Sequence, residues 1–129
     1  MTHDLWILFG ACILGLVHLT AASFAFRAQA GNAYMVGARD EGLRPTGLAG
    51  RLHRAQWNFL ETFPVFAALV LIAHVSGEAG YWSMLGSRIY LGGRILYLPL
   101  YAAGIPWLRS FSWNIATTGL VMVGAEILV

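Results

Sequence analysis

Three segments of this chain carry side chains that a hydrophobic environment should exclude, at spacings that bring them together. Arg54, Asn58 and Glu61 are four and three residues apart, which at the pitch of an α-helix puts them on one stripe. Tyr90, Arg94, Tyr97 and Tyr101, spaced four, three and four, form a second stripe. Arg109 and Ser110 follow the turn Gly104-Ile105-Pro106 and open a third segment. Arginine's planar fork matches carboxylates and phosphates, and a single carboxylate beside it suits an ammonium. Arginines outnumber carboxylates here. The chemistry this favours is capture of an anionic ligand that also carries an amine.

The elements that position these groups must lie in lipid. The chain has 129 residues, enough for one domain spanning 1–129, with 58% apolar residues, 11% charged residues and a mean hydropathy of +0.65. An ordinary soluble domain carries about 25% charged residues, and disorder requires low hydrophobicity. A net charge of +2 without a basic run argues against nucleic-acid binding. The single Cys12 rules out a disulfide framework or a cysteine-cluster metal site, and His3, His18, His53 and His74 lack metal-ligand spacing, so no metal is expected. The expected fold class is all-α, an integral membrane four-helix bundle with helices over about residues 5–28, 49–75, 81–103 and 107–128. The glycine-rich stretch 27–50 reads as a loop, although residues 28–37 could prolong the first helix. The first segment lacks a basic flank and is long for a signal peptide, so it reads as a retained span.

All eight basic residues are arginines. Arg27, Arg39, Arg44, Arg51 and Arg54 cluster around the first connection and Arg109 lies at the third. The positive-inside rule therefore places loops one and three in the cytoplasm and both termini outside, in the cell inner membrane. On that orientation Glu61 lies roughly 18 Å and Arg94 about 14 Å from the cytoplasmic side, at 1.5 Å per residue. The two stripes occupy one layer, onto which Arg109 opens. Glu61 and Arg94 could alternatively be a buried ion pair fixing helix register. Arg109 read alone could be a snorkelling anchor. Cys12 reads as small packing deep in the first span, and His18 as a buried group hydrogen-bonded to another helix. Tyr81, Trp82, Trp107 and Trp113 read as interfacial anchors. Arg88 lies off the second stripe, with pairing to Glu78 or a neighbouring subunit as its expected role.

The segment Arg51-Leu-His-Arg54-Ala-Gln-Trp-Asn58-Phe-Leu-Glu61-Thr-Phe-Pro64-Val-Phe66 resembles the second-helix signature of the MAPEG family, which includes the microsomal glutathione transferases, leukotriene-C synthase and prostaglandin-E synthase. Arg94-x-x-Tyr97-x-x-x-Tyr101 is similar to that family's third-helix stripe, and Arg109-Ser110 to its catalytic pair. The resemblance is to a bacterial-type member. It implies glutathione as co-substrate, bound by Arg54, Asn58, Glu61, Arg94, Tyr97 and Tyr101, with Arg51 nearby. It also implies a homotrimer with the ligand between subunits, to which Arg27 of the first helix would contribute and which Gln56, on the opposite face from Arg54, could reach from a neighbour. Some members have an aromatic residue directly after the glutamate, where this chain has Thr62.

The implied reaction is thiol activation. Arg109, helped by Ser110 or the dipole of the last helix, would hold glutathione as thiolate for attack on a lipophilic electrophile or reduction of a hydroperoxide dissolved in the membrane lipids, a detoxification chemistry. The alternatives are a catalytically silent binding or scaffold protein and, last, a small transporter.

Overall fold

The computed structural model describes all 129 residues as an all-helical chain. There are four long helices, α1 (His3–Ala30), α3 (Gly47–Ser76), α4 (Tyr81–Ala102) and α5 (Pro106–Leu128), and a short α2 (Asn32–Val36) in the connection between α1 and α3. Three of them, α1, α3 and α5, are long and apolar enough to cross a membrane. Together with the long runs of exposed apolar side chains, this makes the chain an integral membrane protein.

The helix α4 differs in kind. It has 22 residues, about 33 Å at 1.5 Å per residue, but its sequence includes Arg88, Arg94, Ser83, Ser87 and four tyrosines. Ser83, Ser87 and Arg94 are fully buried. The fold turns these polar groups inward, where they face other helices instead of lipid. The close partner of α4 is α5, and small residues set their distance: a Cβ on Gly93 would come within 2.8 Å of the Ala116 nitrogen, and one on Gly86 within 2.8 Å of Met122 Cβ. The core lies where α1, α3, α4 and α5 meet, around Ala11, Phe66, Val70, Tyr90, Ala116 and Val123. There the Phe66 and Tyr90 rings stack at 4.0 Å.

The connections follow from their residue types. Gly31, at φ +91°, breaks the first helix before α2, so the first helix does not run on to residue 37. Gln29 then clamps the following loop to the end of α1, donating to the Arg44 carbonyl at 3.0 Å and accepting from the Thr46 N–H at 2.9 Å. Gly77, in the left-handed conformation, ends α3. Both Pro64 and Pro99 sit inside continuous helices.

The two ends of the bundle are chemically opposite. At one end Arg51 Nε donates to the Ala102 carbonyl at 2.8 Å, tying the start of α3 to the end of α4. At the other, Ser83 at the N-terminus of α4 receives two carboxylates. Its N–H donates to Glu126 at 2.9 Å and its hydroxyl to the buried Asp4 at 2.8 Å. Carboxylates at a helix N-terminus satisfy its free N–H groups and favour its dipole. Glu126 therefore caps α4, and the buried Asp4 holds the Ser83 hydroxyl beside it.

Several sequence expectations change. His18 does face another helix, stacking on Phe59 at 4.9 Å, but both its ring nitrogens lack a hydrogen-bond partner. Cys12 is exposed on the outer face of α1 and does not fill the interior. Arg88 is exposed, one helix face away from the buried stripe.

Candidate functional site

The buried anchor of the site is Arg94. It has no exposed surface, and its Nη1 donates to Asn58 Oδ1 at 2.7 Å. Its Nε and Nη2 have no hydrogen-bond partner. The alternative reading, a Glu61–Arg94 ion pair, is not what the fold makes: Arg94 bonds to Asn58 instead. Asn58, one turn nearer the start of α3, reaches the guanidinium first, and Glu61 remains exposed. Aromatic faces compensate the buried charge: the guanidinium carbon lies 4.4 Å from the Tyr97 ring centre and 5.4 Å from that of Phe59.

Towards the Arg51 end the stripe opens to the outside. Tyr101 lies one helical turn beyond Tyr97, with ring centres 5.5 Å apart. Two arginines from two other helices meet on it. Arg54 Nε, from α3, donates to its hydroxyl at 3.2 Å, while Arg109, from the first turn of α5, places its guanidinium carbon 4.5 Å from the ring centre. Arginine in the first turn of a helix opposes the dipole and costs about 0.3–1 kcal/mol at an exposed site. An anion bound there would be favoured by both the helix end and the side chain.

These groups line one open cleft of about 500 Å³, formed by Arg54, Trp57, Asn58 and Glu61 of α3, Tyr97 and Tyr101 of α4, and Arg109, Ser110, Trp113 and Asn114 of α5. The cleft contains two arginines and one carboxylate at its wall, with Arg94 just behind it. No group of histidines, cysteines or carboxylates is arranged to hold a metal ion. The cleft can hold an anionic ligand with a carboxylate-compatible end and an ammonium-compatible end.

A family model, the MAPEG family, matches residues 5–129. The chain belongs to the MAPEG family. The match spans all four long helices, so the cleft lies wholly within the MAPEG region. Among curated proteins none matches the chain.

Within this MAPEG cleft, Arg54, Asn58, Glu61, Tyr97, Tyr101, Arg109 and Ser110 come together, and Arg94 stands behind them. Arg51 does not join them. Its side chain is spent on the Ala102 carbonyl, so it caps α4. Arg27 lies in the last turn of α1 with its guanidinium carbon 5.8 Å from the Phe24 ring centre, and Gln56 is half-buried on another face of α3; neither lines this cleft. The Ser110 hydroxyl donates to the Pro106 carbonyl at 3.1 Å. Thr62, next to Glu61, shares a hydrogen bond of 3.0 Å with Tyr90. Its small side chain leaves room for that phenol in the core.

Three cleft residues escape the sequence reading. Trp113 reads there as an interfacial anchor, yet it is half-buried in the cleft wall; Trp57 and Asn114 carry no role there at all. The signal was present in the spacing. Trp57 is three residues after Arg54, Trp113 four after Arg109, and Asn114 four after Ser110, all same-face intervals.

Proposed function

We propose that this MAPEG protein is a membrane-bound glutathione transferase that holds the thiol of glutathione as thiolate for attack on lipophilic electrophiles, with reduction of hydroperoxides as a related activity. MAPEG members include glutathione transferases and also proteins without catalysis, so the reading rests on the site. The observation that carries it is the meeting of Arg54 and Arg109 on Tyr101, beside a single cleft carboxylate, Glu61. Arg54 and the tyrosine hydroxyls receive the carboxylate groups of glutathione and Glu61 its ammonium, while the buried Arg94 adds positive charge from behind the cleft wall. Asn58 holds Arg94 in place. Arg109 stands at the thiol. A guanidinium beside a thiol stabilises the thiolate and lowers its pKa from about 8.5, and the α5 N-terminus adds to that field. The second substrate arrives through the lipid.

The chain crosses the membrane with four helices, α4 being the fourth, and the open side of the cleft between α3, α4 and α5 supports a homotrimer. Glu61 and Arg54 are exposed in the single chain, and an exposed carboxylate within a bilayer is costly. A neighbouring subunit closes the cleft, with Arg27 as the arginine it contributes and Gln56 reaching the adjacent site. Loops one and three face the cytoplasm. The clustering of arginines at the Arg51 end supports that orientation.

The test is titration of glutathione into the detergent-solubilised protein with thiolate absorbance as readout, beside Arg109→Ala. Thiolate that forms in the parent and vanishes in the variant is expected. The absence of both binding and thiolate would overturn the reading. One observation favours a second reading, a catalytically silent binding protein: the Ser110 hydroxyl has already committed its hydrogen to Pro106. Binding without thiolate would select that reading.

A further inference from the structure

One end of the cleft is not used by the glutathione reading. On α5, Asn114 follows Ser110 by four residues, so it lies one turn further along the helix, roughly 6 Å at 1.5 Å per residue. It is exposed on the cleft wall, and its side-chain amide makes no hydrogen bond within the chain; only its backbone carbonyl is engaged, by Thr118. Trp113 and Trp57 line the same cleft from α5 and α3. Trp57 is 67% exposed in the single chain, so its indole is not consumed by packing within the chain. A neutral amide among apolar membrane residues gains from a neutral hydrogen-bonding partner, because lipid offers it none. The two indoles supply flat apolar surface.

Taking the thiolate reading as its basis, we propose that Asn114, between Trp57 and Trp113, is the specificity-determining residue for the second substrate and selects planar conjugated carbonyl compounds of lipid origin. The spacing selects the class. Asn114 lies one helical turn beyond Ser110 on α5, so a ligand that reacts at the Arg109 end of the cleft meets the amide with its other end. A conjugated C=C–C=O unit places its electrophilic carbon at one end and its carbonyl oxygen at the other, so a single flat molecule can meet both groups. An alkyl halide or a hydroperoxide has no second group to offer the amide at that separation.

The step balances without a redox partner. The sulfur lone pair forms a bond to the β-carbon. The C=C electron pair shifts toward the carbonyl, and charge develops on its oxygen as an enolate. The Asn114 amide N–H donates to that oxygen. Water then delivers a proton to the α-carbon, matching the proton that the thiol released to water on ionisation. The net result is addition of S–H across the double bond.

The experiment uses the full chain in lipid or detergent with glutathione, a medium-chain conjugated enal, an alkyl iodide of equal chain length and cumene hydroperoxide. In Asn114→Leu, which keeps the side-chain size and suits lipid, the ratio of kcat/KM for the enal to that for the iodide is expected to fall about tenfold, the worth of one lost hydrogen bond. Trp57→Leu is expected to raise KM for the enal more than for the iodide. An unchanged ratio in both variants, or a selective loss of hydroperoxide turnover, overturns the proposal. Equal losses on every substrate, together with a lower thermal midpoint, overturn it too and make Asn114 a packing residue. Thiolate absorbance, read before the electrophile is added, reports the underlying reading separately. With thiolate present and the ratio unchanged, only the assignment of Asn114 fails; with no thiolate in the parent, both fail.

Discussion

The guanidinium of Arg109 rests over the ring of Tyr101, 4.5 Å from its centre, while the hydroxyl of the same ring accepts a hydrogen bond from Arg54. One phenol therefore holds two arginines from two different helices, Arg109 by its face and Arg54 chiefly by its hydroxyl, with the Arg54 guanidinium carbon farther out at 6.0 Å from the ring centre. The two contacts can be separated by substitution. Tyr101→Phe removes the hydroxyl and keeps the face, whereas Tyr101→Leu removes both. Glutathione affinity is expected to fall in Tyr101→Phe by about tenfold at most, as for one hydrogen bond. Thiolate yield is expected to fall only in Tyr101→Leu. Isothermal titration and thiolate absorbance on the same preparations measure the two effects.

Removing Arg109 itself acts on the chemistry. By analogy with the loss of one donor from an oxyanion site, Arg109→Ala is expected to lower kcat by about 100-fold. The pH profile gives the sign. In the parent the thiolate of bound glutathione rises with a midpoint below the free-thiol value of about 8.5. In Arg109→Ala that midpoint moves back up towards it. A spectroscopic pH titration at saturating glutathione reads both.

Asn58 is the only hydrogen-bond partner of a fully buried guanidinium. Asn58→Leu leaves Arg94 with no acceptor, and stability is expected to drop by about 1–3 kcal/mol or more, since the stranded group is charged. Thermal unfolding in detergent tests this, with Asn58→Asp retaining the acceptor. If Asn58→Leu unfolds at the parent temperature, Arg94 is satisfied by something other than Asn58.

Arg51 belongs to the scaffold. Its bond to the Ala102 carbonyl closes the end of α4. Arg51→Met keeps the apolar stem and is expected to lower stability by about 1.5–3 kcal/mol, the range for a hydrogen bond to a charged group. Thiolate formation at saturating glutathione is expected to persist. Loss of thiolate with an unchanged thermal midpoint would instead return Arg51 to the ligand.

Gly93 sets how closely α4 approaches α5, and it lies one turn from Tyr97. A Cβ there would come within 3.0 Å of Ala116 and of the Ser112 carbonyl. Gly93→Val is expected to push α5 outward, carrying Arg109 away from Tyr101. Stability and thiolate yield should fall together, whereas Gly92→Ala, where a Cβ meets no neighbouring atom, should change neither.

Much of the site was legible in the sequence because helical periodicity is a local property. The spacing of Arg54, Asn58 and Glu61, and of Arg94, Tyr97 and Tyr101, fixes which side chains share a face once the segments are helical. Scarcity of charge fixes that they lie in a membrane protein. What spacing leaves open is which of several same-face groups touch, because contact depends on the rotation and separation of neighbouring helices. Arg94 lies within the chemistry of both Asn58 and Glu61 by sequence; packing gives it to Asn58. Arg51 shares a segment with Arg54, but only the end of α4 supplies the carbonyl that captures it. Trp57, Trp113 and Asn114 look like ordinary membrane residues in one dimension. They become a cleft wall only where the glycines of α4 let α5 approach and bring Arg109 onto Tyr101. Sequence alone thus determines the medium, the helices and the stripes. The tertiary structure decides the partners, because a buried charge takes the acceptor that packing places nearest.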